Sequence, residues 1–200
     1  MTTVYDTEIN QNEWFIIIML VMSLIALFFM KPKMDLPIMI IIYTFGVTCG
    51  MFFDHTISIE PFNFYDVNDS SKYQLIDFIS YIMYGPFACF FIFFYKKYNI
   101  SGMKNVWYII VWTIIAVTTE WVAQKNGVFH YRRGYNLFFS APIYLFNQTA
   151  LIIFYHLIQT EYKNKGKLKR FVYPENNFIL HLTFQPVTLY SLYILYHIKA

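Results

Sequence analysis

The sequence predicts an all-α protein: a polytopic transmembrane helical bundle with five spans, a candidate sixth, and its N-terminus outside. Three observations lead there. The chain of 200 residues is 58% hydrophobic and only 14% charged, against about 25% charged in ordinary soluble domains. Its apolar residues fall in long continuous runs rather than in the short alternating segments of a β-barrel. Its lysines and arginines cluster unevenly in the connections between those runs.

The runs are Trp14–Met30, Leu36–Phe53, Gln74–Tyr95, Val106–Gln124 and Pro142–Gln159. Each matches the roughly 17–25 helical residues that a hydrocarbon core requires. The first, second and fifth carry no Asp, Glu, Lys or Arg. The third holds Asp77 and the fourth Glu120. Asp35 before Leu36-Pro37 reads as an N-cap followed by Pro in the first turn, where the missing N–H costs nothing. Ser140 before Ala141-Pro142 repeats that pattern, and Asn105 reads as the cap of the fourth span. Gly85-Pro86 predicts a kink in the third, because Pro removes a backbone hydrogen bond. Gly46 and Gly50 form a small-xxx-small face that admits a second helix closely. Phe178–Ile198 is long enough for a sixth span, but its His181, Gln185 and Pro186 equally suit an interfacial segment. The length fits one integral membrane domain, 1–200.

Orientation is set by the basic residues. Ten of them, Lys31, Lys33, Lys96, Lys97, Lys104, Lys163, Lys165, Lys167, Lys169 and Arg170, fall on one side. Four, Lys72, Lys125, Arg132 and Arg133, fall on the other. The first side is therefore cytoplasmic. The first run is not a cleaved signal, since its leader is acidic and no small-residue cleavage site comes after it. The plasma membrane is the expected location. The basic runs flank apolar spans, which is not the pattern of a nucleic-acid binder.

The outer face then collects the chemically varied residues: Asp54, His55, Glu60, Asp66, Asp69, Asp77, Glu120, His130, Arg132 and Arg133. Candidate ligand-binding residues are Glu120, His130, Arg132, Arg133, Asp77, Asn147, Gln148, Asp54 and His55. Glu120 lies about one turn inside the outer boundary, where a carboxylate is costly unless paired. It either binds a cation or acts as an acid or base, or else closes onto Arg132 or Arg133 as a structural ion pair. His130 with the two arginines suits an anion such as a phospholipid head group, or simply snorkels to the interface. Asp77 in a first turn complements the helix dipole. Asn147 and Gln148 either line a polar cavity near Glu120 or bond between helices. The 54–73 loop offers oxygen ligands but no EF-hand, HExxH or CxxC spacing, so no metal is implied. Cys49 and Cys89 lie in spans and read as small apolar residues. No nucleotide fingerprint or Gly-rich phosphate loop is present, and no cofactor is implied.

The segments YDVNDSSKYQLIDFISYIMYGPF, EW and GVFHYRRGYN resemble an uncharacterised family of small multi-spanning membrane proteins of Bacillus- and Clostridium-type bacteria. The resemblance covers roughly residues 10–160. It implies a membrane location and a helical bundle, and it assigns no reaction and no catalytic residue. Three function classes are compatible with the residues. The first is a binding or accessory protein with a polar site at the outer face. The second is a membrane enzyme acting on lipid-like substrates. The third is a small transporter or channel. Expected partners are the lipid bilayer, a phospholipid or other anion at the outer face, and a second copy of the chain joined at a Gly46/Gly50 seam.

Overall fold

The computed structural model describes residues 10–30, 34–68 and 75–172, with side chains through 164. It contains α1 (Gln11–Met30), α2 (Leu36–Ile57), β1 (Tyr65–Val67), α3 (Leu75–Lys97), α4 (Lys104–Lys125), β2 (Phe129–Tyr131) and α5 (Leu137–Val172). All five helices are long and apolar enough to cross a membrane. That is the signature of a multi-pass membrane protein. The candidate sixth span, 178–198, lies outside the described residues, as do Asp69 and Lys72. The chain divides into two compact units, Met1–Thr160 and Glu161–Ala200. The first holds α1 to α4, both strands and α5 as far as Thr160.

The helix ends obey local chemistry, though not always at the expected residue. In α1 the Asn10 side chain accepts from the Asn12 N–H at 3.2 Å, and Glu13 Oε2 accepts from the Asn10 N–H at 3.0 Å. This is a reciprocal capping box. Asp35 stands at the N-cap of α2 with Pro following, but its side chain makes no capping bond. Ser140 is not a cap. The fifth helix starts at Leu137, and Asn136 accepts from the Phe138 N–H at 3.0 Å. Pro142 is then inside the helix as its sixth residue, where it leaves the Phe138 carbonyl without its i+4 donor. Asn105 is not a cap either, because α4 already begins at Lys104 after Met103. Helix α3 runs unbroken through Pro86.

Helix α3 is the centre of the first unit. Its apolar window is 61% buried, against 17% in α1, α2 and α4 and 22% in α5. Its C-terminal half builds the larger core, where Ala88, Phe91, Ile92 and Tyr95 meet Leu27 of α1, Ile38 and Ile42 of α2, and Leu151 and Tyr155 of α5. Exposed His156 shares a hydrogen bond with the hydroxyl of Tyr95 at the edge of this core, at 3.0 Å. A smaller core joins Ile16 of α1 to Ala123 and Val128. Outward positions such as Phe28, Phe29, Trp107 and Phe146 stay exposed. Apolar outward faces are what a lipid-facing helix presents.

Helices α2 and α3 approach each other closely at their glycines. A Cβ at Gly46 would stand 2.7 Å from the Tyr84 carbonyl oxygen and 2.8 Å from Ala88 Cβ. One at Gly50 would stand 2.4 Å from the Tyr84 ring. From the other side Gly85 receives the Tyr43 ring, whose hydroxyl donates to the Ile82 carbonyl at 3.1 Å. The glycine face is therefore filled by α3 of the same chain and is not a free seam for a second copy. Gly46→Ala is expected to cost about 1–3 kcal/mol of stability, because the obstructing atom is backbone and cannot rotate away. Detergent-titrated unfolding followed by circular dichroism measures it; an unchanged midpoint would contradict the close approach.

Candidate functional site

The polar end of the unit is organised by two connections. Helix α4 ends in a Schellman motif. The Val128 N–H donates to the Ala123 carbonyl at 3.0 Å and the Gly127 N–H to the Gln124 carbonyl at 3.1 Å, with Gly127 at φ +82°. Only glycine adopts that φ without strain. The reversal feeds β2, which pairs antiparallel with β1: Tyr65 opposite Tyr131, Asp66 opposite His130 and Val67 opposite Phe129. Further backbone bonds at each end, Asn68 N–H to Val128 O and Arg132 N–H to Phe64 O, lengthen the ribbon. The strands are too short to show as alternating runs in the sequence. They are the departure from an all-helical chain.

Arginines lock this ribbon. Arg132 pairs with Asp66 of β1. Arg133 pairs with Glu60 at 2.9 Å and donates to the carbonyls of Pro61 and Phe62 at 2.7 and 3.1 Å. Arg133 and Gly134 both have positive φ, and the Tyr135 N–H returns to the Arg132 carbonyl at 2.9 Å. This is the tight turn that leads to α5. The expected closure of Glu120 onto Arg132 or Arg133 is thus replaced by a clasp between two loops. The sequence proximity of the arginines to Glu120 misled because the turn carries their side chains toward residues 60–66.

Glu120 instead sits in a cage of hydroxyls. It is 6% exposed. Its Oε1 accepts from Tyr131 and from Ser140, each at 2.6 Å, and its Oε2 accepts from Tyr144 at 2.8 Å. Tyr135 extends the cage through a 2.9 Å bond to Ser140. Three neutral donors take the place of water around the carboxylate, which is how a buried charge is tolerated without a cation. Both ion pairs among the described residues lie elsewhere, on Arg132 and Arg133.

Beneath the ribbon lies a cavity of about 440 Å³. Its walls come from α2, α3, α4 and α5, with Phe15 of α1 and Tyr65, Val67 and Phe129 of the ribbon also reaching it. The wall is mostly aromatic and aliphatic. Glu120, Asp54, Asn147 and Gln148 supply polar atoms to it. Asp54 accepts from the Tyr81 hydroxyl through Oδ2, while its Oδ1 is buried with no hydrogen-bond partner among the described residues. Gln148 accepts from Thr113 at 3.0 Å, tying α5 to α4.

Of the nine candidate residues, the structure brings Glu120, Asp54, Asn147 and Gln148 to one cavity. His130, Arg132, Arg133, Asp77 and His55 do not line it. Asp77 is buried and accepts from the Asn68 side chain at 2.6 Å. His55 turns its Nδ1 to the Met51 carbonyl at 2.8 Å. Arg132 and Arg133, expected with His130 at an anion site, are both paired with acids. The residues missed are Tyr131, Ser140, Tyr144, Tyr81 and Tyr84. A signal existed: Ser140, Tyr144, Asn147, Gln148 and Leu151 repeat at helical spacing, as do Thr113, Ala116, Glu120 and Ala123. Two polar stripes on consecutive spans point to one shared face.

The chain matches no protein-family model, no curated protein and no solved structure.

Two outcomes check this geometry. Arg132–Asp66 joins a one-third exposed arginine to an acid only 6% exposed, whereas Arg133–Glu60 is open to solvent at both ends. Double-mutant cycles are expected to give about 0–1 kcal/mol of coupling for Arg133–Glu60 and a clearly larger value for Arg132–Asp66. Equal couplings would remove the clasp's asymmetry.

The second outcome concerns alkaline pH. Burial first, then in Tyr131 the hydrogen bond to Glu120 and its charge, push the hydroxyls of Tyr65, Tyr131 and Tyr135 above the ordinary 10.0. A group whose folded pKa is raised keeps its full stabilising effect below the unfolded value and loses it as pH climbs above that value. Unfolding midpoints should therefore hold up to about pH 10 and fall beyond it, less steeply in Tyr131→Phe. Midpoints measured between about pH 8 and 12 decide it.

Proposed function

We propose that this chain is a multi-pass protein of the cell membrane that binds a small, largely apolar molecule in the cavity beneath the ribbon, with the ligand's polar end toward Glu120. The observation that carries the reading is the cavity itself. Its volume of about 440 Å³ falls within the range of small-molecule sites, roughly 300–1,000 Å³. An apolar wall with a few fixed polar atoms is the composition that binds and orients such ligands. The uneven distribution of lysine and arginine supports placing the ribbon end on the outer side. A ligand arriving from the outer leaflet would meet that end first.

The binding reading is favoured over an enzyme because no described cationic group or histidine lines the cavity beside the acids. A lysine or arginine that stabilises developing negative charge is among the groups that catalysis on an ester-type substrate draws on. Trp112 lines the cavity, whereas Trp14, Trp107 and Trp121 are exposed. Replacing those three by Phe leaves Trp112 as the sole tryptophan reporter. In neutral detergent micelles, 1-bromo-4-neopentylbenzene should quench Trp112 saturably. Ala116→Phe, which places a ring in the cavity, should abolish the saturable part. Quenching that rises without saturation, equally in both proteins, would overturn the reading, since it would report only partition into the micelle.

A further inference from the structure

We propose that the ligand of this cavity is an organic cation: a small amphiphile with a protonated amine or quaternary ammonium head and an apolar body. This rests on the binding reading above and narrows its substrate class. Charge is the first constraint. Glu120 of α4 and Asp54 of α2 both line the cavity. Tyr65 of the ribbon lines the same cavity as both acids. None of the described lining residues is Lys, Arg or His. The arginines closest in sequence to Glu120 are held by Asp66 and Glu60. The hydroxyls around Glu120 solvate its charge without cancelling it. The two acids thus face the cavity with no cation opposite them among the described lining residues.

Hydrogen bonding adds a second constraint. Asp54 Oδ1 is buried without a partner among the described residues. A buried acceptor left unmade costs about 1–3 kcal/mol, which a protonated amine offsets by donating an N–H and a quaternary ammonium offsets by its charge alone. The wall supplies the third element. Tyr65, Tyr81, Tyr84, Tyr135 and Tyr144 surround the acids, and aromatic faces attract cations through their quadrupoles, most strongly where water is excluded. Carboxylates combined with aromatic faces recognise an alkylammonium. A bare metal ion calls for several converging ligands, and among the described residues no three of His, Cys, Asp or Glu converge. A choline lipid head would bring its phosphate toward the same two acids. A free amphiphilic amine avoids that repulsion.

The test uses the full chain carrying Trp112 as sole tryptophan, in neutral detergent micelles, with three probes of similar shape. These are the cation 4-bromobenzyltrimethylammonium, its uncharged carbon isostere 1-bromo-4-neopentylbenzene, and the anion 4-bromobenzenesulfonate. The cation should quench saturably with at least about tenfold higher affinity than the isostere, and the anion should not compete. This comparison needs no altered acid. Glu120→Gln combined with Asp54→Asn should erase the tenfold preference of the cation over the isostere. If the cation binds no more tightly than the isostere, the cationic class is overturned and the apolar cavity stands. If neither probe quenches saturably, the binding reading falls with it.

Discussion

A carboxylate buried at the end of a helix has to be solvated by something. Here the solvent is three hydroxyl groups, and much of the polar end of the molecule is arranged to deliver them. Tyr131 comes from the ribbon, and Ser140 and Tyr144 come from successive turns of α5. Meeting at Glu120 therefore fixes α4, β2 and α5 against one another. Hydrogen bonds to a charged group are about twice as strong as neutral ones, and leaving the group unpaired would be severe. The cage acts as a positional constraint as well as a local solution to burial.

The ribbon is what makes the cage possible. A Schellman turn at Gly127 sends the chain into β2, and a left-handed pair at Arg133-Gly134 sends it on into α5. Between these two reversals the backbone must pair with something, and β1 supplies the partner. The arginine clasp holds that pairing at its outer edge, with one pair sheltered and one exposed. Polar residues that look like a site in one dimension are, in three, the fastening above it.

The cavity arises from how unevenly the helices pack. Small residues let α2 and α3 meet at backbone distance. Helices α4 and α5 reach the rest of the unit through long aromatic side chains, such as Tyr108 and Trp112 against Phe91, and Phe154 stacked on Phe45 at 4.8 Å. Rings keep backbones apart, and the space between them is incompletely filled. Half-buried Cys49 and the amide of Gln148 look into it.

The five helices among the described residues, and their approximate limits, were legible in the sequence, because crossing a membrane demands long apolar runs whatever their neighbours are. Local rules also marked the glycine face and singled out Glu120. Its partner was not legible. Proximity along the chain favoured Arg132 and Arg133, yet two residues of left-handed backbone directed those side chains to Glu60 and Asp66. Likewise Ser140 had every local mark of a cap, but Asn136 started the helix a turn earlier, and Ser140 became a donor to Glu120. Asp54 and Glu120 lie 66 residues apart, and nothing in either segment names the other. Their meeting in one cavity was decided by helix packing, because which faces of α2 and α4 turn toward α3 depends on contacts among all of them. The sequence by itself determined that there would be long apolar helices joined by polar connections. The tertiary structure alone decided which charges are balanced within the chain and which look into the cavity.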